Sequence, residues 1–324
     1  MKSVMKKVFS ILNGPFDLLF AVVAFPAALT LSAYRRIGSR RLRVTTRMLK
    51  AIGVFPVIDH YYEPLFNDAH LTKPLSDDRD LPGIDFDLAG QLSFLGKLGF
   101  ASELIEMKLD NPRVRSSDFS MMNPTFGPGD ADFLYQFIRA TKPRKVVEIG
   151  SGNSTRLACI ALLKNYSESK FKAPHTCIEP YEMSWLEELT EVEVIRKRVE
   201  DCNFDWSKEL SSGDLLFVDS SHVIRPQSDV LKEYLEIIPM LASGVYVHVH
   251  DIFTPKDYSR GHVIEDVRFW NEQYLLETLL SNTARYRIVA ALNYLKHHNF
   301  DELNAVCPYL TENREPGSFY FQVR

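Results

Sequence analysis

Cysteine is scarce in this chain of 324 residues, and its four cysteines, at positions 159, 177, 202 and 307, form no C-x-x-C pair. A disulfide framework is therefore not expected, and the pattern is more typical of buried thiols in a reducing compartment. The sequence also lacks internal repeats and low-complexity tracts, and its formal net charge of −4 gives no case for a nucleic-acid partner. With 45% hydrophobic residues, the chain can bury a large core, in one elaborated domain or in two.

Acidic residues are nearly absent from the first fifty positions. This stretch holds ten lysines and arginines against Asp17 alone, so its formal charge is +9, whereas the remainder carries −13. Leu18 to Tyr34 is an uncharged run of seventeen residues with Pro26 near its middle. A transmembrane helix needs about 20 residues, and a signal peptide is a competing interpretation. We favour a re-entrant helix bent at Pro26 over a single span, because both basic flanks could then meet anionic headgroups.

The segment from Arg41 to Ile52 has an amphipathic pattern. Its apolar residues recur at helical spacing, with basic residues between them: Val44, Met48, Leu49 and Ile52. This pattern predicts a helix in the membrane interface, or else an ordinary helix packed on the domain. We therefore predict that residues 1–52 attach the protein to the cytoplasmic face of the inner membrane.

Residues 53–122 predict a linker and cap, because prolines interrupt any long element. His60, Tyr61 and Tyr62 form a polar aromatic cluster that could line a pocket for a sugar or phenol, with half-buried packing as the alternative. The first regular helix expected in this region is Leu88 to Phe100. A turn-rich loop follows, in which Asn123 is a further candidate for substrate binding and Asp130 is the predicted N-cap of the next helix.

The stretch K-V-V-E-I-G-S-G-N-S-T, from Lys145 to Thr155, predicts a buried parallel strand that turns sharply into a helix. Gly150 and Gly152 suit such a turn, because glycine tolerates positive φ and leaves the backbone open to a ligand. A dinucleotide fingerprint needs a third glycine, whose place Thr155 takes. Glu148 would face a pyrophosphate badly but can pair with a cationic ligand such as S-adenosylmethionine.

Strand and helix signals alternate along most of the chain after Thr155, which predicts a doubly wound parallel α/β sheet. Ligands in such sheets bind at the carboxyl ends of the strands. We therefore expect the polar side chains at those ends to converge: Glu148, Glu179, Asp219, His222, His250 and Asp251.

Four segments carry a resemblance to a known family: V-V-E-I-G-S-G-N-S-T, D-L-L-F-V-D-S-S-H, G-V-Y-V-H-V-H-D-I-F and R-F-W-N-E-Q-Y-L-L. Together with L-P-G-I-D and F-G-P-G-D-A upstream, they resemble a bacterial subfamily of class I S-adenosylmethionine-dependent methyltransferases. The resemblance implies a Rossmann-like, seven-stranded sheet whose last strand is antiparallel, in a domain at residues 123–324. It also implies a set of cofactor-binding residues, with Glu179 on the ribose and Asp201 at the adenine edge: Glu148, Gly150, Ser151, Gly152, Asn153, Ser154, Glu179, Asp201 and Asp219.

A hydroxyl that accepts a methyl group must lose its proton. Histidine suits that task, because its unperturbed pKa of about 6.5 lies near working pH. We predict His250 and His222 as candidate bases beside Asp219 and Asp251, with a buried structural histidine as the alternative for each. A divalent metal on Asp219, His250 and Asp251 is the less favoured alternative, because the metal-dependent relatives have two neighbouring acids after the fifth strand.

The predicted function is O-methylation of a hydroxyl on a saccharide or lipid-linked glycan, with S-adenosylmethionine as cofactor. A nicotinamide-dependent oxidoreductase of a sugar is the enzymatic alternative, and a non-catalytic membrane scaffold that binds S-adenosylmethionine is the non-enzymatic one. The predicted partners are the acceptor and the membrane surface, not a nucleic acid.

Overall fold

The structure is a computed structural model that describes residues 2–111, 118–181 and 183–324, with the backbone alone for residues 2–13. Met1 and residues 112–117, which belong to the predicted segments 1–52 and 53–122, lie outside the described residues. The chain divides into two compact units, Met1–Leu71 and Thr72–Arg324.

The first unit contains a long helix, α1 (Lys2–Ile37), a shorter one, α2 (Arg43–Ile52), and a 3-10 turn at Asp68–His70. Helix α1 continues through Pro26, which differs from the break expected there. Its segment Gly14–Ile37 is long and apolar enough to cross a membrane, with a mean hydropathy of 1.9, and apart from the buried Tyr34 its side chains are exposed or half-buried. The uncharged run alone is shorter than this segment, because the helix extends beyond the run at both ends.

Helix α2 confirms the amphipathic pattern of its sequence, but the apolar stripe faces outward. Val44, Met48 and Ile52 are 81%, 51% and 68% exposed, and only Leu49 is buried. Gly53 ends the helix in a left-handed conformation, with φ of 82°.

The second unit is built on seven strands. They are β1 (Val146–Ile149), β2 (His175–Ile178), β3 (Glu193–Ile195), β4 (Leu215–Val218), β5 (Tyr246–Val249), β6 (Tyr286–Ala291) and β7 (Phe319–Val323). Its helices are α3 (Leu88–Leu95), α4 (Ala101–Met107), α5 (Asp130–Thr141), α6 (Asn153–Ser169), α7 (Trp206–Glu209), α8 (Asp229–Lys232), α9 (Ile238–Met240), α10 (Glu272–Leu280), α11 (Leu292–His298) and α12 (Phe300–Val306). A π-helical segment, Glu233–Ile237, joins α8 to α9.

The sheet order is β3-β2-β1-β4-β5-β7-β6. The first five strands of this order are parallel, and β7 runs antiparallel to both of its neighbours, β5 and β6. A separate apolar cluster covers each face of the sheet. The predicted α/β fold, with seven strands and an antiparallel last strand, is confirmed, and the carboxyl ends of β1, β2, β4 and β5 meet at one edge.

Two local predictions were wrong. The helix expected from Leu88 to Phe100 ends at Leu95, and a turn through Gly96 and Gly99 precedes α4. Asp130 lies inside the first turn of α5 instead of capping it, because its Oδ1 accepts hydrogen bonds from the backbone N–H groups of Gly317 and Ser318, at 2.9 and 2.7 Å. The carboxylate therefore fixes the entry to β7.

Candidate active site

A cavity of about 1110 Å³ opens at the carboxyl ends of β1, β2, β4 and β5. It brings together most of the residues that the sequence singles out. Those that line it are Gly150, Ser151, Gly152, Asn153, Ser154, Glu179, Asp219, His222, His250 and Asp251.

The two glycines after β1 have different roles. Gly150 has a φ of 79°, and a Cβ built on it would lie 1.8 Å from the carbonyl oxygen of Asp219. A side chain there would push β1 and β4 apart, so this glycine serves the fold. A Cβ on Gly152 would meet only Met183 Cε, at 4.0 Å. Gly152 therefore leaves an open surface on the turn, as a cofactor lying across the backbone requires.

Glu148 does not line the cavity, which corrects its predicted contact with the cofactor. Its side chain is 1% exposed and its two oxygens are already occupied. Oε1 lies 2.8 Å from Nε2 of His175, and Oε2 accepts a hydrogen bond of 2.5 Å from the hydroxyl of Thr155. The Thr155 hydroxyl in turn accepts a hydrogen bond from the N–H of Gly152, at 3.1 Å. Glu148 thus acts through Thr155 on the shape of the turn.

Glu179, at the end of β2, lies where the ribose contact is predicted. Its carboxylate lines the cavity and accepts hydrogen bonds from the backbone N–H groups of Ser151, at 3.2 Å, and Tyr181, at 2.9 Å. Asp201 does not line the cavity, because its exposed carboxylate pairs with Arg198 at 2.9 Å. The neighbouring Glu200 does line it, which does not favour the predicted adenine-edge contact of Asp201.

The side chains that follow β4 and β5 form a cluster of acids and histidines. His222 Nε2 lies 3.4 Å from Asp219 Oδ1 and 3.6 Å from Asp251 Oδ2. His250 Nδ1 lies 3.4 Å from Asp219 Oδ1 and 3.8 Å from Asp251 Oδ2. The other nitrogen of His222, Nδ1, lies 2.8 Å from Oε2 of the fully buried Glu272.

Burial lowers the pKa of both histidines, but the surrounding carboxylates outweigh it. Asp219 and Glu272 raise the pKa of His222 well above its ordinary value, and Asp251 and Asp219 do the same for His250. Burial raises the pKa of Asp219, yet His250 and His222 lower it below its usual range. The carboxylates of the cluster therefore favour the protonated form of both histidines.

The loops that follow β4 and β5 also have an unusual backbone conformation. His222 and Asp251 have φ values of 59° and 58°, in the left-handed region that residues other than glycine rarely adopt. Strain of this kind concentrates at functional sites, where the surrounding structure maintains it. It turns both side chains toward the cavity.

The sequence predicted no part in this site for Glu272, Trp270 or Asp130. Glu272 orients His222, the Trp270 ring lies 4.5 Å from the His222 ring, and Asp130 Oδ2 lies 3.9 Å from His250 Nε2. Glu272 and Trp270 belong to R-F-W-N-E-Q-Y-L-L, which carried part of the family resemblance. No periodic pattern in the sequence indicates that an acid two residues after a tryptophan belongs to the site.

Asp219, His222 and Asp251 offer ligand atoms that all lie within 4.8 Å of one another, so this set could hold a divalent cation. The mixed oxygen and imidazole donors suit Mn²⁺, Fe²⁺ or Zn²⁺ better than Mg²⁺. The sequence placed His250 in the alternative metal set, whereas the structure places His222 there. Glu272 behind His222 is the carboxylate partner that a metal-ligating histidine usually has.

Four predicted substrate-binding residues lie elsewhere. Asn123 does not line the cavity, since its amide bridges the loop by donating to the carbonyls of Ser120 and Phe126, at 2.8 and 2.7 Å. His60, Tyr61 and Tyr62 lie exposed in the first unit, where the two tyrosine rings pack against each other at 5.1 Å. Among the described residues of that unit they form no pocket, and their substrate role stays a prediction.

Part of the second unit is similar to a known protein family. Residues 147–252, from β1 to the loop after β5, match the family model of a methyltransferase domain. The matched segment lies within the second unit and supports the predicted S-adenosylmethionine-dependent methyltransferase. The cofactor is accordingly S-adenosylmethionine, and its contacts with Gly152 and Glu179 of the cavity stay a prediction. The match does not favour the nicotinamide-dependent oxidoreductase.

Individual relatives of the methyltransferase domain are distant. The chain is 26% identical over 185 residues to an uncharacterised protein of Archaeoglobus fulgidus, covering 54% of this chain and 80% of that protein. The plantazolicin methyltransferase BpumL, solved with a triazolic desmethylPZN analog and SAH, is 11% identical, with a TM-score of 0.35 over 72% of this chain and 97% of that one. LepI, solved with SAM, is 14% identical, with a TM-score of 0.29 over 72% of this chain and 55% of that one.

Proposed function

We propose that the methyltransferase domain methylates a hydroxyl oxygen of a saccharide or lipid-linked glycan at the cytoplasmic face of the inner membrane. The observation that carries the proposal is the pair His222–Glu272 beside the glycine turn. Glu272 engages Nδ1 of His222, which leaves Nε2 directed toward the cavity. In its neutral form, a histidine held in this way by a carboxylate can take a proton from a hydroxyl group. Because the neighbouring carboxylates raise the pKa of His222, this form becomes more populated as the pH rises above neutrality.

When bound, S-adenosylmethionine supplies a methyl group activated by a sulfonium. The residues of the chain hold the reactants in line and receive the proton. His222 Nε2 takes the proton of the acceptor hydroxyl as its oxygen bonds to the methyl carbon and the carbon–sulfur bond breaks. Most of the rate enhancement then comes from positioning, since methyl transfer is an in-line displacement.

The sequence ranked His250 first as the base, and the geometry favours His222. His250 Nδ1 is buried and has no hydrogen-bond partner among the described residues, whereas His222 has the orienting Glu272. We propose that His250 stabilises the negative charges of the Asp219 and Asp251 carboxylates. If a divalent cation occupied Asp219, His222 and Asp251, it would lower the pKa of the acceptor hydroxyl in place of a base.

The membrane part of the proposal rests on the first unit. The segment Gly14–Ile37 is apolar and largely exposed, and α2 exposes Val44, Met48 and Ile52 beside Arg43 and Arg47. Apolar residues flanked by cations are typical of segments that bind anionic membrane surfaces. Attachment raises the effective concentration of an acceptor carried by the membrane.

A labelling experiment tests the proposal. The full-length protein is incubated with membranes and S-adenosylmethionine that carries a deuterated methyl group, and lipids and glycans are analysed by mass spectrometry. We expect the label as a methyl ether on a sugar, and no transfer by a Gly152→Arg variant. Label on nitrogen, carbon or sulfur would contradict O-methylation, and label confined to soluble compounds would contradict the membrane acceptor.

A further inference from the structure

Two arginines of the cavity lining lie close in sequence to His222 or Trp270, which also line it. Arg225 follows β4, Arg268 follows β5, and both are exposed at the rim. The third arginine of the lining, Arg198, lies after β3 and pairs with Asp201. The loops that carry His222 and Trp270 therefore bring two further cationic groups to the cavity.

The loops that carry Arg225 and Arg268 are joined by hydrogen bonds. The N–H of Ile224 donates to Oδ1 of Asn271 at 2.6 Å, and the N–H of Asn271 donates to the carbonyl of His222 at 3.0 Å. The N–H of Arg268 donates to the carbonyl of His262 at 2.9 Å. The backbone on either side of the two arginines is thus fixed relative to the proposed base.

Neither guanidinium is strongly bound within the chain. For Arg225, the described part of the chain shows no side-chain hydrogen bond or ion pair. Arg268 pairs with Asp266 at 2.8 Å, but both side chains are largely exposed, and such a pair is weak. The Arg268 guanidinium also lies over the Trp270 ring, at 4.5 Å, which orients it without neutralising it.

The chemistry of the cofactor gives these cations no evident task in the transfer. The reacting centre of S-adenosylmethionine is a sulfonium, which a nearby cation repels. A planar guanidinium is well suited to bind phosphate or carboxylate through two parallel hydrogen bonds. An anionic group on the acceptor would use both arginines and would also orient its hydroxyl toward His222.

We propose that the acceptor carries a phosphate or diphosphate group that Arg225 and Arg268 bind, so that the enzyme methylates a phosphorylated saccharide. The inference rests on the proposed function and names its class of substrate. The phosphate could belong to a soluble sugar phosphate or to the diphosphate of a lipid-linked saccharide. The remaining use of Arg225, binding the carboxylate of the cofactor, is an outcome that the test distinguishes.

The test uses the full-length protein in detergent, loaded with S-adenosylhomocysteine and titrated calorimetrically with inorganic pyrophosphate. We compare wild type, the double variant Arg225→Gln/Arg268→Gln, and Arg287→Gln as a matched control. Arg287 lies on β6 at the far edge of the sheet, bonded to Gln322 at 2.9 Å. We expect the double variant to bind pyrophosphate at least about tenfold more weakly, with unchanged affinity for S-adenosylhomocysteine in all three proteins.

Two further arms identify the source of the phosphate. Binding of hexose 1-phosphate in solution and of vesicles containing a polyprenyl diphosphate is compared between wild type and the double variant, and the ligand that loses affinity is the source.

Equal pyrophosphate affinity in wild type and double variant, or no binding to either, would overturn the inference. So would weaker binding of S-adenosylhomocysteine in the double variant, which would assign the arginines to the cofactor. Failure of wild type to bind S-adenosylhomocysteine at all would instead remove the proposed function, before any phosphate is added.

Discussion

Gly150 and Gly152 differ in what a side chain would meet, and this difference can be measured. We expect Gly152→Arg to abolish binding of S-adenosylhomocysteine with little loss of stability, because among the described residues only Met183 lies near the added Cβ, at 4.0 Å. Gly150→Ala is the matched comparison, and it should destabilise the domain, because its Cβ would overlap the Asp219 carbonyl. Calorimetry and thermal unfolding of both variants give the two readouts. Wild-type affinity in Gly152→Arg would place the cofactor elsewhere.

The roles of His222 and His250 can be separated by substitution. We expect His222→Ala to lower turnover by about 10²- to 10⁴-fold, the usual contribution of a general base, with little change in cofactor affinity. His250→Ala should lower turnover less, because His250 lacks an orienting partner such as Glu272. Steady-state formation of S-adenosylhomocysteine is the measurement, and the reverse order of the two losses would return the role of base to His250.

Chelation distinguishes a base from a metal ligand at the same residue. If His222 acts as the base, treatment with EDTA should leave activity intact. Complete loss of activity, restored by Mn²⁺, would make Asp219, His222 and Asp251 metal ligands, whose atoms lie within 4.8 Å of one another. In that case His222→Ala should lower metal content as well as turnover.

At the level of elements, a buried ion pair joins β1, β2 and α6. Burial lowers the pKa of His175, but the Cys177 sulfur and the Glu148 carboxylate outweigh it and raise that pKa to about 10. The folded state thus binds a proton that the unfolded state, with a histidine pKa of about 6.5, releases first. The resulting stabilisation is complete below about pH 6.5 and is lost as the pH rises through about 10.

We therefore expect His175→Asn to destabilise the domain by about 3 kcal/mol at pH 6, because it leaves the buried Glu148 without its partner. The difference in free energy of unfolding between the variant and wild type should become smaller as the pH rises from 7 to 10. Denaturant unfolding at pH 6 and at pH 10 tests this. His298→Asn is the control, since His298 pairs with Asp78 at an exposed site. If the difference in free energy of unfolding between the variant and wild type did not depend on pH, His175 would be neutral in the folded protein.

The elements themselves could be predicted from the sequence, because each central strand is a short apolar run ended by glycine or by polar residues. Val146–Ile149 and Leu215–Val218 illustrate this, and both strands are buried throughout. Side-chain partners could not be predicted in the same way. The pairing of Glu148 with His175 joins residues 27 positions apart, and that of His222 with Glu272 joins residues 50 positions apart. Only the register of neighbouring strands and the packing of α10 bring these groups together.

Because side-chain partners could not be predicted, the positions expected for the carboxylates of Asp201 and Asp130 were wrong. The position of an acid after a strand indicates the right edge of the sheet, but not whether its carboxylate is free. Arg198 holds Asp201 on the surface, and the backbone of Gly317 and Ser318 holds Asp130. Glu179, by contrast, was predicted correctly to lie at the cavity, because its place depends on the strand end alone.

For the whole molecule, the distribution of charge and of exposed apolar surface supports the proposed attachment to a membrane. The first fifty residues carry a formal charge of +9. The segment Gly14–Ile37, of 24 residues, would span about 36 Å as a helix, longer than a hydrocarbon core of about 30 Å. A single span is thus long enough, and the basic cluster from Arg35 to Arg43 would keep the methyltransferase domain in the cytoplasm.

We therefore expect deletion of residues 1–40 to move the protein from the membrane fraction to the supernatant and to lower methylation of a membrane-borne acceptor in cells. Activity on a soluble acceptor should be unchanged, because tethering raises the effective concentration only of an acceptor in the same membrane. Any residual binding of the shortened protein to anionic vesicles should depend on α2. Replacing Val44, Met48 and Ile52 with serine in that background should remove it, since these residues are its exposed apolar stripe. Full-length protein that stays in the supernatant at low salt, or a shortened enzyme that methylates the acceptor in cells as well as the intact one, would show that the first unit does not act as a membrane anchor.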